Sequence, residues 1–304
     1  MACNQGKPPY LAGDRQSIWQ QFFGTGIVKT SEDFGVQGEK PSHPELLDWL
    51  AVEFQESNWD VKHLVRLILL SETYQQSSKL DPEAKEKDSA NRFLSHGPRY
   101  RRPAWMIRDQ ALAASGLLIP QIGGPPTRPY QPQGIWEDAT FGNKKYVQDQ
   151  GENLYKRSVY TFWRRIIGPT MFFDTPARQY CNVKLSRTNT PLHALATLND
   201  TTYVEASRVL AQRELLATTN KDEVVIENIF RSILARKPSN EEAAILSAAV
   251  KRYQDAFEKD AEAAKKFISV GKMPASTAID SKKLAAFGTL ALSLFNLDEA
   301  LNKE

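Results

Sequence analysis

The chain has 304 residues, 41% hydrophobic and 25% charged, with a net charge of +3 at pH 7. These values exclude a disordered chain, and six Trp, ten Tyr and fourteen Phe supply the bulk for a real core. So small a net charge gives no reason to expect a polyanion partner for the chain as a whole, and no run of 18 apolar residues is present to span a membrane as a helix.

Residues 1–14 are polar, contain Pro8, Pro9 and Gly13, lack the apolar stretch of a signal peptide and read as an unstructured or mis-started N-terminus. Ile18, Trp19, Phe22 and Phe23 then recur at helical spacing until Gly24 and Gly26 stop the helix. After a polar loop at 29–41, Ser42 with Glu45 reads as a capping box, with Pro44 in the first turn and Leu46, Leu47, Leu50 and Phe54 as one stripe. That helix ends near Ser57–Asn58. Asp60 caps the next, which carries Val61, Leu64, Val65, Ile68 and Leu69. Helices so closely joined are expected to pack antiparallel, driven by about 1.5–3 kcal/mol per large apolar side chain buried.

Residues 79–91 read as a solvated connection. Pro103 opens a helix with Ile107, Ala111, Ala114 and Leu118 inward, ended by Pro120 and Gly123–Gly124. Residues 120–151 form a long irregular Pro/Gly-rich insert, and loops of that length inside a domain are commonly functional. The run 157–163 alternates β-branched and aromatic residues and reads as a short strand or extended segment. Pro191 opens a long helix through Leu210, with Asn199–Asp200 marking a break or a tertiary hydrogen-bonding duty. Another covers about 222–235. Ser239 with Glu242 launches a third, to about Ile268, and after a linker at 269–280 a last helix runs from Ser281 to about Asn302. The expected fold is mainly α: a multi-helix, bundle-like domain over 15–304 with at most one or two short strands. It divides, if anywhere, near 120–151 and at a C-terminal helical part, 191–304.

Charge is uneven. From Leu154 to Thr190 there are seven Lys/Arg, seven aromatics and a single acid, Asp174. Tyr160, Trp163 and Arg164 belong to this stretch, and Arg99, Arg101, Arg102 and Arg108 lie just upstream. Guanidinium forks bind anionic oxygens, and flat rings stack on sugars or bases. The competing reading is that the arginines pair with acids elsewhere and the rings fill the core. Arg108 and Asp109 are adjacent on a helix, cannot pair along one face, and each must find another partner; a buried ion-pair hub is the favoured reading. Thr188-Asn189-Thr190-Pro191 begins a helix whose amides can hold an anion, with His193 in the first turn, although a plain N-cap explains the same residues. Trp136 beside Glu137 and Asp138 gives a weak glycosidase signal. There is no nucleophile elbow, P-loop, dinucleotide fingerprint or HExxH pair. Cys3 and Cys181 are too few for a disulfide framework and stand in no CxxC or CxxCH spacing, so no metal site and no haem attachment are expected in this chain.

Several long motifs carry a resemblance: Phe34-Gly35, PSHPELLDWLAVEF (Pro41 to Phe54), LLSETYQQSS (Leu69 to Ser78), YKRSVYTFWRR (Tyr155 to Arg165), FDTPARQYCNV (Phe173 to Val183), RTNTPLHALATLND (Arg187 to Asp200) and FNLDEALNKE (Phe295 to Glu304). In this order they resemble the C-terminal domain of unknown function of planctomycete cytochrome-c-type proteins. The resemblance implies a piece of a long exported protein of the periplasm or cell envelope, docked to upstream domains, with haem only in those upstream modules. It departs at His193, where relatives more often have Gln, and at Met106, where an acidic residue is common. Two readings follow. The first is a binding or assembly module that contacts anionic polysaccharide. The alternative is a carbohydrate-active hydrolase or oxidoreductase in which Arg108, Asp109, Trp136, Asp174, Arg187, Asn189 and His193 converge. A nucleic-acid binder ranks last, since no such motif occurs.

Overall fold

The computed structural model describes residues 10–33, 36–80, 82–164, 167–169, 171–175, 187–217 and 221–303. Cys3, Cys181, Phe34 and Gly35 lie outside them. The fold is mainly α, with fourteen helices and one two-stranded sheet, Tyr100–Arg101 with Asn302–Lys303, among the described residues. None of these helices is long and apolar enough to cross a membrane. The chain divides into two compact units, one built on the residues up to Tyr100 with the extreme C-terminus, the other on Arg101 to Leu301.

The first unit holds α1 (Tyr10–Phe23), α2 (Pro44–Glu56), α3 (Val61–Leu70), α4 (Glu72–Gln75) and α5 (Pro82–Lys87). Trp19, Phe23, Ile27, Leu50, Phe54, Leu64 and Ile68 form its core, so the apolar stripes of α1, α2 and α3 meet as their spacing requires. The Asp60 carboxylate accepts from the amides of Lys62 and His63 at 2.8 and 3.1 Å, as expected of a cap. The capping box at Ser42 does not form. His43 stands at the cap position without a side-chain cap bond, and Ser42 ties its amide and hydroxyl to the carbonyl of Ile27 instead. A tertiary tie fifteen residues back has outcompeted the local one. The stretch 79–91 is not wholly solvated either: Asp88 is 8% exposed, and its carboxylate accepts from the amides of Arg92 and Phe93.

The second unit holds α6 (Ala104–Ser115), α7 (Ile135–Ala139), α8 (Pro191–Asn199), α9 (Thr201–Ala217), α10 (Asp222–Leu234), α11 (Asn240–Lys259), α12 (Ala261–Ile268), α13 (Ser281–Phe295) and α14 (Asp298–Leu301). α13 is its axis, with Leu284, Phe287, Leu290 and Leu294 all but sealed from solvent and α9, α11 and α12 packed around it. The expected long helices are broken. The 191–210 helix ends at Asn199, and Asp200 accepts from the amide of Thr202 at 2.8 Å to start α9. The 240–268 helix restarts at Asp260, which accepts from Ala263, and the last helix stops at Phe295 before the short α14. α6 ends sooner than expected, at Gly116 with φ +81°, the left-handed turn that glycine adopts without strain. The Ser239–Glu242 capping box forms in full.

Two charged side chains of α9 lie in this core. Glu205 and Arg208 are both 0% exposed. Glu205 Oε1 accepts from the Tyr155 hydroxyl and from the amides of Lys272 and Met273, and Arg208 Nη2 donates to the carbonyl of Met273 at 2.6 Å. A buried charge is costly unless bonded. Glu205 Oε1 and Arg208 Nη2 are used to pin the turn at 271–273, while Glu205 Oε2 and Arg208 Nε have no hydrogen-bond partner among the described residues. Gly271 holds φ +92°, and a Cβ there would stand 2.2 Å from the Glu205 carboxyl carbon. Burial, with Glu205 nearby, pushes the Tyr130 phenol up and that of Tyr155 to about 12, so both stay neutral donors.

Candidate functional site

The segment 154–158 is fastened to α6 by the adjacent pair Arg108 and Asp109. Arg108 is 1% exposed. It donates to the carbonyls of Leu154 and Lys156 and to the Ser158 hydroxyl at 2.9–3.1 Å, and burial is the main cause lowering its pKa. Asp109 Oδ1 accepts from the amide and hydroxyl of Ser158 at 2.9 and 2.6 Å. Each finds the tertiary partners expected of adjacent helix residues, and both find them on one segment, with 3.5 Å between Arg108 Nη1 and Asp109 Oδ1. Their grip on Ser158 also explains why 157–163 is not a strand: Ser158–Tyr160 is a 3-10 turn, and only isolated parallel bridges, Ile119 with Lys156 and Thr127 with Thr161, remain.

Those bridges set the next layer. Thr127 donates its amide to Tyr160 and accepts from the amide of Phe162, both at 2.7 Å, which puts Arg128 beside Phe162. Tyr160 closes the edge of the loop, its hydroxyl accepting from the Gly123 amide. The Arg128 guanidinium lies 4.8 Å from the Phe162 ring centre. Phe162 stacks on Trp136 at 5.9 Å, and Arg164 covers the Trp136 ring at 5.5 Å. Tyr146 leans on Trp136 from another side, and the Trp136 ring nitrogen donates to Gln131. The result is a ladder of cation, ring, ring, cation. Arg128, Phe162 and Arg164 are half-buried, and among the described residues neither guanidinium has a carboxylate or carbonyl partner. Rings held by cations on their faces and by hydrogen bonds at their edges are preorganised, and the unused N–H donors suit oxyanions.

The remaining predicted residues form two other groups. Trp163 stacks on Phe172 at 5.9 Å and packs with Ala104 and Met171 as core. Asp174, Asn189 and His193 do come together. The Asp174 carboxylate accepts from the Thr188 amide and hydroxyl at 2.6 and 2.7 Å and lies 3.8 Å from His193 Nε2, while Asn189 accepts from Arg101 at 3.0 Å. His193 stacks on Phe173 at 4.0 Å. Asp174 therefore ties down Thr188, two residues before the cap position, and Thr190, the cap by position, makes no side-chain bond. Arg187 is half-buried beside this group. Among the described residues no three His, Cys, Asp or Glu side chains gather as a metal site.

Sequence reasoning missed Arg128, Phe162, Ser158 and the Glu205–Arg208 pair. A readable signal existed for Arg128, a cation fenced between Pro126 and Pro129 where the backbone is stiff. None existed for Ser158, whose partner lies 49 residues away.

No curated protein and no solved structure matches the chain. Residues 16–250 match the model of a family described as PSD1, a protein of unknown function (DUF1553), with the clamp, the ladder and most of the second unit's helices inside the match. A match over so much of its length makes this chain a member of that family.

Proposed function

We propose that this chain is a binding module that recognises an anionic polysaccharide through the Arg128–Phe162–Trp136–Arg164 ladder. The observation that carries the reading is the pairing, among the described residues, of two half-buried, acceptor-free guanidinium groups with two stacked rings, Trp136 itself being buried. The rings hold the two cations in place, and sulfate or carboxylate groups take bidentate bonds from arginine. Arg108 and Asp109 act through the segment they hold. In this reading the module works in the cell envelope, docked to upstream domains of a longer protein, an assignment supported by the sequence motifs alone. Retention on an immobilised sulfated glycan tests it. Binding at low ionic strength that weakens steeply as salt rises is the expected result, because the contacts are charge-based. No retention at low salt removes the polysaccharide from the account.

A further inference from the structure

A cavity lies in the first unit, and no residue of the ladder lines it. It has a volume of about 240 Å³ and is bounded by α1, the turn 24–27, the residues before α2 and the stretch 89–100. Trp19 and Phe23, stacked on each other at 4.0 Å and 12°, line it as an apolar pair, and Tyr100 packs where a side chain at Gly24 would stand. The titratable and charged side chains on its lining are His43, His96, Arg92, Arg99 and Tyr100; among the described residues no acid lines it.

The two imidazoles are held alike. Ser42 donates its hydroxyl to the Ile27 carbonyl, so its oxygen receives the Nδ1 proton of His43 at 3.0 Å. The Ser95 hydroxyl likewise stands 3.1 Å from Nδ1 of His96. A hydroxyl has one proton to give, which assigns the tautomer at His43. Each Nε2 is left without a partner among the described residues. Arg92 donates to the carbonyls of Gly26 and Ile27, fixing the turn and adding a positive charge to the wall.

We infer that this cavity binds a small ring-bearing carboxylate, its ring on Trp19 and Phe23 and its carboxylate toward Nε2 of His43 and His96. A pocket below the ~300 Å³ of ordinary ligand sites takes one ring-sized molecule. An anion there favours protonated imidazoles, so binding takes up protons and tightens as pH falls through the histidine range. Asp88 is engaged by the amides of Arg92 and Phe93, and Arg92 and Arg99 keep their charge throughout.

The test titrates the full chain with benzoate and, separately, with D-glucuronate, at pH 5.5 and 7.5. One arm covers an aromatic source of the ring, the other a sugar. Saturable binding of either, about tenfold tighter at pH 5.5, is expected. His43→Gln with His96→Gln is expected to remove that pH dependence. Should the variant fold poorly, imidazole NMR of the unaltered chain reads the same claim: the ring signals of His43 and His96 move on saturation and those of His63 do not. Binding of neither acid, equal binding of benzamide or glucose, or unmoved signals of His43 and His96 would overturn the inference.

Discussion

Arg108 and Arg208 are sealed in the second unit and hand Nη donors to backbone carbonyls and a hydroxyl, whereas Arg128 and Arg164 are half-buried over aromatic rings and, among the described residues, hand theirs to no acceptor. The first pair stands where donors are costly to leave unmet; its Nη groups are bonded to loops, while Nε of each is without a hydrogen-bond partner among the described residues, so its work is to fix the backbone. The second pair stands where water satisfies the donors until a ligand replaces it. The contrast separates arginines that shape the molecule from arginines that remain available. The same residue type, counted in a sequence window, carries no such distinction.

Four changes test that separation. Gly271→Ala strikes the buried hub hardest, since a Cβ would meet the Glu205 carboxyl at an unfavourable φ of +92°. A loss of about 4 kcal/mol is expected, a fall in Tm on the order of 10 °C. A change under about 1 kcal/mol would mean that the turn is not pinned by Glu205. Arg108→Met leaves two buried carbonyls and Asp109 without their cation and is expected to cost about 3 kcal/mol in denaturant melts. It also releases the segment carrying Phe162 and Arg164, so glycan retention should fall with it; retention at wild-type strength would show that the clamp does not position the ladder.

Arg128→Gln with Arg164→Gln is the opposite case. Stability should change by no more than about 1 kcal/mol per cation–ring contact, while retention is lost. Smallest is Glu242→Gln. Hydrogen bonds from Arg236, and next the Ser239 amide, hold the Glu242 carboxyl down at about 2. A depressed folded pKa gives stability that is present above the usual 4.5 and lost as pH falls toward 2. The group is 35% exposed, so screening limits the effect to under about 1 kcal/mol. The substitution should flatten the acid limb of the stability curve in that window, and an unchanged limb would rule the pair out as a contributor.

The parts of the fold governed by local chemistry were readable in the sequence. Asp60, the Ser239–Glu242 box and the break at Asn199–Asp200 each act within a few residues, and the structure has all three. Ser42 was misread because its competing partner, the carbonyl of Ile27, lies fifteen residues away. The run 157–163 looked like a strand for the same reason, its β-forming side chains being overruled by Asp109 on a distant helix. Of the candidate site, Trp136 and Arg164 were legible as ring and cation. That they meet, and that Phe162 and Arg128 complete the row, depends on the bridges of Thr127, which leave no periodic trace. His43 and His96 looked scattered because the cavity they share is assembled from segments some fifty residues apart.

The central claim is that the ladder binds and the buried arginines build. Its most direct test is the affinity of the Arg128→Gln/Arg164→Gln chain for a sulfated glycan, measured by calorimetry beside its thermal melt and compared with the unaltered protein. The account predicts a melt shifted by only a few degrees with binding lost. A double variant that binds the glycan at full strength, or one that loses binding only because it unfolds, would contradict it.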